Sequence, residues 1–156
     1  MIRVQREDFD VGAELARLAE GDRAVGGVAC FVGLVRDMAG AGGPGLNPGI
    51  GAMTLEHYPG MTEKKLAEIE AEANRRWDLA ASLIVHRYGR LEPGERIVLV
   101  ATASAHRDAA LDACRFLIDW LKTQAPFWKL EETRDGARWV AARDSDDAAA
   151  ERWTAE

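Results

Sequence analysis

Cysteine is scarce in this chain: Cys30 and Cys114 are the only two among 156 residues. They form no metal-binding spacing. In a reducing compartment they read as small buried apolar residues rather than as a disulfide. Histidine is almost as rare, with His57, His86 and His106 at no ligand spacing. The first two fall in strand-like segments and read as hydrogen-bonded structural histidines. No apolar run approaches the roughly 20 residues that span a bilayer, and the opening residues carry no signal-peptide core. The chain is therefore expected to be cytoplasmic, without membrane contact. A net charge of −6 leaves none of the basic excess of a general nucleic-acid binder. No Ser-His-Asp arrangement and no suggestive carboxylate pair is present. The glycines of residues 37–51 lack the strand-GxxxxGK[ST]-helix context of a P-loop.

What is present suffices for one domain over residues 1–156 with a real core. Residues 1–6 read as a short edge strand. Asp10 caps a helix over 11–20, with Leu15 and Leu18 inward. Residues 24–35 read as a buried strand whose glycines mark bends or close backbone approach. Residues 37–51 are a flexible Gly-rich loop by composition, either ordering over a ligand or remaining a surface insertion. A strand over 52–58 turns at Pro59-Gly60 into a helix over 62–77. Its Leu66, Ile69, Ala73 and Trp77 face inward, and Glu63, Lys64, Glu68, Glu70 and Glu72 mostly face water. Strands over 81–89 and 95–103 pair across Pro93-Gly94. Ser104 is expected to cap a helix over 105–123, with Cys114, Leu117 and Leu121 inward. Strands over 127–133 and 137–142 form a hairpin at Asp135-Gly136. A short helix over 146–153 falls in a C-terminal tail, 144–156. The order predicts an α+β fold with mixed or antiparallel sheets.

The most informative stretch is Lys122-Thr-Gln-Ala-Pro-Phe-Trp-Lys129. Pro126 lacks an N–H and pushes Ala125 out of the helical region, so the long helix should stop near Thr123. Phe127 and Trp128 then restart the chain as a strand against the core. Both lysines would lie beside aromatic surface, which suits a pocket for something anionic. At the other end of the helix, His106 and Arg107 occupy a first turn that usually carries acidic residues. Either an anion arrives there or Arg107 makes a surface ion pair. Arg36, at a strand end, could fork onto a phosphate or carboxylate. His106 and Lys122 are separated by about 24 Å of helix, too far for one small ligand. Either they serve different sites, or a second copy of the chain brings His106 and Arg107 to Lys122.

Several ordered blocks resemble the large, catalytic subunit family of molybdopterin synthase: Phe31-Val-Gly-Leu-Val-Arg36, Leu55-Glu-His-Tyr-Pro-Gly-Met-Thr-Glu63, Ile84-Val-His-Arg-Tyr-Gly89, Ser104-Ala-His-Arg107, Lys122 to Lys129, and Arg138-Trp139 to Arg143. The resemblance implies an α/β hammerhead fold with an additional antiparallel β subdomain. It implies a central homodimer with a small ubiquitin-like sulfur-carrier subunit at each end, a heterotetramer. The carrier's thiocarboxylated Gly-Gly terminus would enter the pocket, where two sulfur transfers convert cyclic pyranopterin monophosphate to molybdopterin. No metal or redox cofactor is implied for the transfer.

By the same resemblance Lys122 is the catalytic lysine nearest the carrier terminus, and Lys129 is the second essential lysine. Arg36, His106, Arg107 and Arg143 bind phosphate and pterin, some from the partner subunit, and Phe31 lines the pocket. Leu34, Val35, Leu130 and Glu131 complete the substrate-binding set. Leu34 and Leu130 stand where the family often carries basic residues, so only backbone contacts would persist there. Lys122 would act either as a base or as a nucleophile on the carrier's acyl carbon. The alternative is a non-catalytic dimer that only docks the carrier. A phosphate-ester hydrolase has no metal site or nucleophile arrangement behind it.

Overall fold

A computed structural model describes residues 1–37, 50–140 and 144–154. The greater part of the Gly-rich stretch 37–51, and Arg143, lie outside the described residues. The elements run β1 (Ile2–Gln5), α1 (Val11–Leu18), β2 (Gly27–Leu34), β3 (Ile50–His57), α2 (Met61–Arg76), β4 (Ala81–Arg87), β5 (Gly89–Leu91), β6 (Arg96–Ser104), α3 (Arg107–Gln124), β7 (Phe127–Thr133), β8 (Gly136–Val140) and α4 (Asp144–Glu151). They build two four-stranded sheets, ordered β1-β4-β6-β2 and β5-β3-β7-β8. The second is antiparallel throughout. In the first, only β1 and β4 run parallel. The α+β reading holds, with the second sheet as the antiparallel β subdomain.

The first sheet is covered on both faces, which is why β4 and β6 read as nearly continuous apolar runs. Alternation sends Ile84, Val98 and Val100 toward α2 and α3, where Leu66, Ile69, Phe116, Leu117 and Leu121 fill the main core. The intervening Leu83, Val85, Leu99 and Ala101 face α1 and Phe9. Asp10 caps α1 as expected, its Oδ1 accepting from Ala13 N at 2.8 Å. A third cluster of Val35, Met53, Leu55 and Leu91 joins the two sheets.

Several details differ from expectation. Ser104 does not cap α3. It ends β6, and its hydroxyl donates to the Asp78 carbonyl at 2.8 Å. The N-cap is His106, with extended backbone and no side-chain cap bond. The connection between β4 and β6 is more than a turn. Gly89, at φ 94°, lets the chain leave the first sheet, and β5 pairs with Met53–Leu55 before returning. Cys114 is buried, its thiol raised to about 11 by burial, but Cys30 is exposed on edge strand β2. Glu70 and Glu72 are half-buried rather than solvated. Glu70 holds the N-terminal amine and the Ser82 hydroxyl, and Glu72 holds Arg75 and Arg76. Gly26 shows the close approach foreseen for its strand: a Cβ there would lie 2.2 Å from the Ala105 carbonyl oxygen.

Candidate functional site

The turn between the two lysines is built as proline chemistry requires. α3 continues to Gln124, and Ala125 is extended at φ −78°, ψ 130°, the region left to a residue before proline. Phe127 N then bonds back to the Ala125 carbonyl at 2.9 Å, a tight three-residue turn centred on Pro126. The turn is tied to α2. The fully buried Thr62 donates its hydroxyl to the Pro126 carbonyl at 3.3 Å and accepts from Tyr58 N at 3.1 Å.

Beyond the turn, β7 runs between β3 and β8, and its period of two sorts its side chains. Phe127, Lys129 and Glu131 share a face with their partners His57, Leu55 and Met53. That face meets the rest of the molecule: Leu55 and Met53 are buried, and Phe127 packs on the main core. Glu131 is also buried, 3.4 Å from the Arg138 guanidinium across the β7–β8 pair. Trp128 and Leu130 point the other way. Trp128 is therefore not against the core as expected. It is exposed, edge-on to Tyr58 at 4.6 Å, and with Glu56, His57, Pro59 and Trp139 it lines an open groove of about 600 Å³.

The fold brings some candidates together and separates others. Bonds from Thr102 to Ala110 and from Cys114 to Val100 show α3 running back along β6. β2 is also antiparallel to β6. The end of β2, with Leu34 and Arg36, therefore lies at the same end of the sheet as Lys122. Val35 packs on Leu55, whose β7 partner is Lys129. Arg36, Lys122 and Lys129 thus belong to the junction of the two sheets. His106 and Arg107 stand at the opposite end of the 18-residue α3, about 24 Å from Lys122.

Local environments differ as well. Phe31, Leu34 and Arg36 are exposed. Val35 is not: its side chain is in the core, and its backbone N–H and carbonyl bond Glu95 and Gly94. Its part in any pocket is to hold its neighbours. Arg107 is almost fully exposed, 3.6 Å from Asp108. Lys122 is 43% exposed and its ammonium lies 3.9 Å from Asp146 of α4. That helix is docked on α3 through Trp153, whose indole N–H donates to Asp119 at 2.9 Å and whose ring meets Trp77 and Phe116 edge-on. Asp146 and the docking of α4 carry no signal in the local sequence.

His86 is a hydrogen-bonded structural histidine as expected, and His57, 3.7 Å from Glu63, lies with it beside Lys129's face. His86 is buried, stacked on Phe127 at 3.6 Å, with Nδ1 2.8 Å from the Arg87 carbonyl. Burial, and to a lesser degree the nearby Lys129 ammonium, push its pKa down to about 4, against the opposing pull of the Arg87 carbonyl. It is a neutral imidazole beside a cation.

Residues 4–124 match the family model of MoaE protein. The molybdopterin synthase catalytic subunit of Pseudomonas aeruginosa is 56% identical over 154 residues, covering 97% of both chains. A molybdopterin biosynthesis MoaE protein from Burkholderia ambifaria superposes with a TM-score of 0.83 at 52% identity, covering 100% of this chain and 99% of that one. A molybdopterin synthase structure from Staphylococcus aureus gives 0.77 at 32% identity, covering 89% and 96%. This chain belongs to the MoaE family, the catalytic subunits of molybdopterin synthase.

Proposed function

We propose that this enzyme of molybdenum cofactor biosynthesis acts in the cytoplasm by transferring sulfur from the thiocarboxylated C-terminus of a small ubiquitin-like carrier subunit to cyclic pyranopterin monophosphate. The observation that carries the residue assignment is the Pro126 turn. It sets Lys122 and Lys129 on either side of one tight corner, at the sheet junction where Arg36 also emerges. Both reactants are anionic, and an acidic chain needs a local cluster of cations to receive them. Lys122 acts on the carrier terminus, while Lys129 and Arg36 hold the substrate. Glu131, paired with Arg138, keeps the strand face around Lys129 ordered.

The length of α3 favours a homodimer. His106 and Arg107 are too far from Lys122 to touch the same small ligand within one chain, and both are exposed. A twofold partner supplying them would complete and enclose the recess. The assembly is then a homodimer carrying one carrier subunit at each end, with Arg143 among the phosphate ligands. No helix of the described residues is long and apolar enough to cross a membrane.

The test is a single-turnover assay with purified thiocarboxylated carrier and precursor. Lys122→Ala should bind carrier and form no dithiolene. Normal product formation by that variant would remove Lys122 from the chemistry. Carrier binding without product by the unsubstituted chain would favour a docking module.

A further inference from the structure

His86 has no part in the chemistry described so far, yet its ring reaches from the first sheet to β7 of the second, two residues before Lys129. It is the penultimate residue of β4 in the first sheet and is 5% exposed. A carbonyl can only accept, so the 2.8 Å contact to the Arg87 oxygen puts the ring proton on Nδ1 and leaves the lone pair on Nε2. That bond fixes the plane of the ring. The ring lies nearly parallel to Phe127, at 15° and 3.6 Å between centroids. Phe127 is the first residue of β7, and His57 flanks it at 6.4 Å from the neighbouring strand. Lys129 follows one pleat later on the same face, about 7 Å along the strand.

We propose that His86 is a positioning residue for sulfur transfer: by gripping Phe127 it sets where β7 begins, and so where the Lys129 amine stands. This rests on the reading of Lys129 as the second essential lysine. Histidine suits the task in three ways. Its flat ring stacks on the phenyl face, its Nδ1–H anchors the ring to the backbone, and in its neutral form it adds no second cation to the site. Leucine would lose the flat face and the anchor together. Phenylalanine would keep the flat face and lose only the anchor.

The experiment uses the assembled enzyme with thiocarboxylated carrier, and reads kcat, KM for precursor, carrier Kd and Tm for His86→Leu, His86→Phe and Lys129→Ala. His86→Leu is expected to lower kcat at least tenfold with carrier Kd within twofold, and His86→Phe to recover most of that loss. The proposal is overturned if His86→Leu keeps kcat within twofold of the unsubstituted enzyme, or if His86→Phe is as slow as His86→Leu. Should His86→Leu fail to fold, His86→Asn takes its place under the same limits. Full activity in Lys129→Ala would remove the role of Lys129, and the proposal with it. Loss in Lys129→Ala beside full activity in His86→Leu would remove only the positioning role.

Discussion

Lys122 and Asp146 face each other at 3.9 Å across the α3–α4 contact, the lysine 43% and the aspartate 23% exposed. A pair this open contributes under about 1 kcal/mol. Asp146→Asn and Lys122→Ala should therefore each leave the urea midpoint nearly unchanged. Lys122→Ala should still lower the sulfur-transfer rate by about a hundredfold or more, the range expected when an acid–base or nucleophilic group is lost. Parallel denaturation and single-turnover measurements check both halves.

Trp153 holds the C-terminal helix in place. Its indole bonds Asp119 and its ring meets Trp77 and Phe116, while Arg76 donates to the Trp153 carbonyl at 2.9 Å. Trp153→Ala should cost about 2 kcal/mol. Amide exchange should rise over Asp144–Glu151 and stay low in α2 and β6.

Thr62 is the tie between α2 and the Pro126 corner. Thr62→Val keeps the shape but leaves the Pro126 carbonyl and Tyr58 N–H without this partner. The expected loss is about 1–3 kcal/mol. The turnover rate should fall further than the drop in folded fraction explains, because both lysines hang from this corner.

His86 makes stability depend on acid. Its folded pKa is about 4 against an ordinary 6.5, chiefly through burial. Between those values the unfolded chain binds more protons, so stability is present in full above pH 6.5 and is lost as pH falls toward 4. The loss amounts to about 3 kcal/mol at most. Comparing urea midpoints at pH 7 and pH 5, His86→Phe should show a smaller decline than the unsubstituted chain. Equal declines would mean that His86 does not carry this acid sensitivity.

Local rules made much of the scaffold legible. Asp10 before an apolar period, Pro126 after a long amphipathic run and Asp135-Gly136 between two strands each act within a few residues, and each element ended where its rule placed it to within a few positions. The misreadings share a cause. Ser104 looked like a cap because hydroxyls suit that position, but Asp78, 26 residues upstream, holds its hydroxyl. Cys30 and Trp128 looked buried because their types usually are, but β2 is an edge strand and alternation turns Trp128 outward. The β5 excursion depends on Met53–Leu55, far away in the chain. At the candidate site, Lys122, Lys129 and Arg36 stand out in the sequence. The Asp146 contact and the His86–Phe127 stack depend on packing between distant segments.

The two-faced character of β7 has a further consequence. Lys129 shares its side with Phe127 and Glu131, and the next residues in each direction project oppositely. A slip of one position against β3 would exchange ammonium for indole on that face, with no change in composition. The tight Arg134-Asp135 reversal and the Pro126 corner bracket the strand and together oppose that slide, which would also turn Phe127 away from the main core.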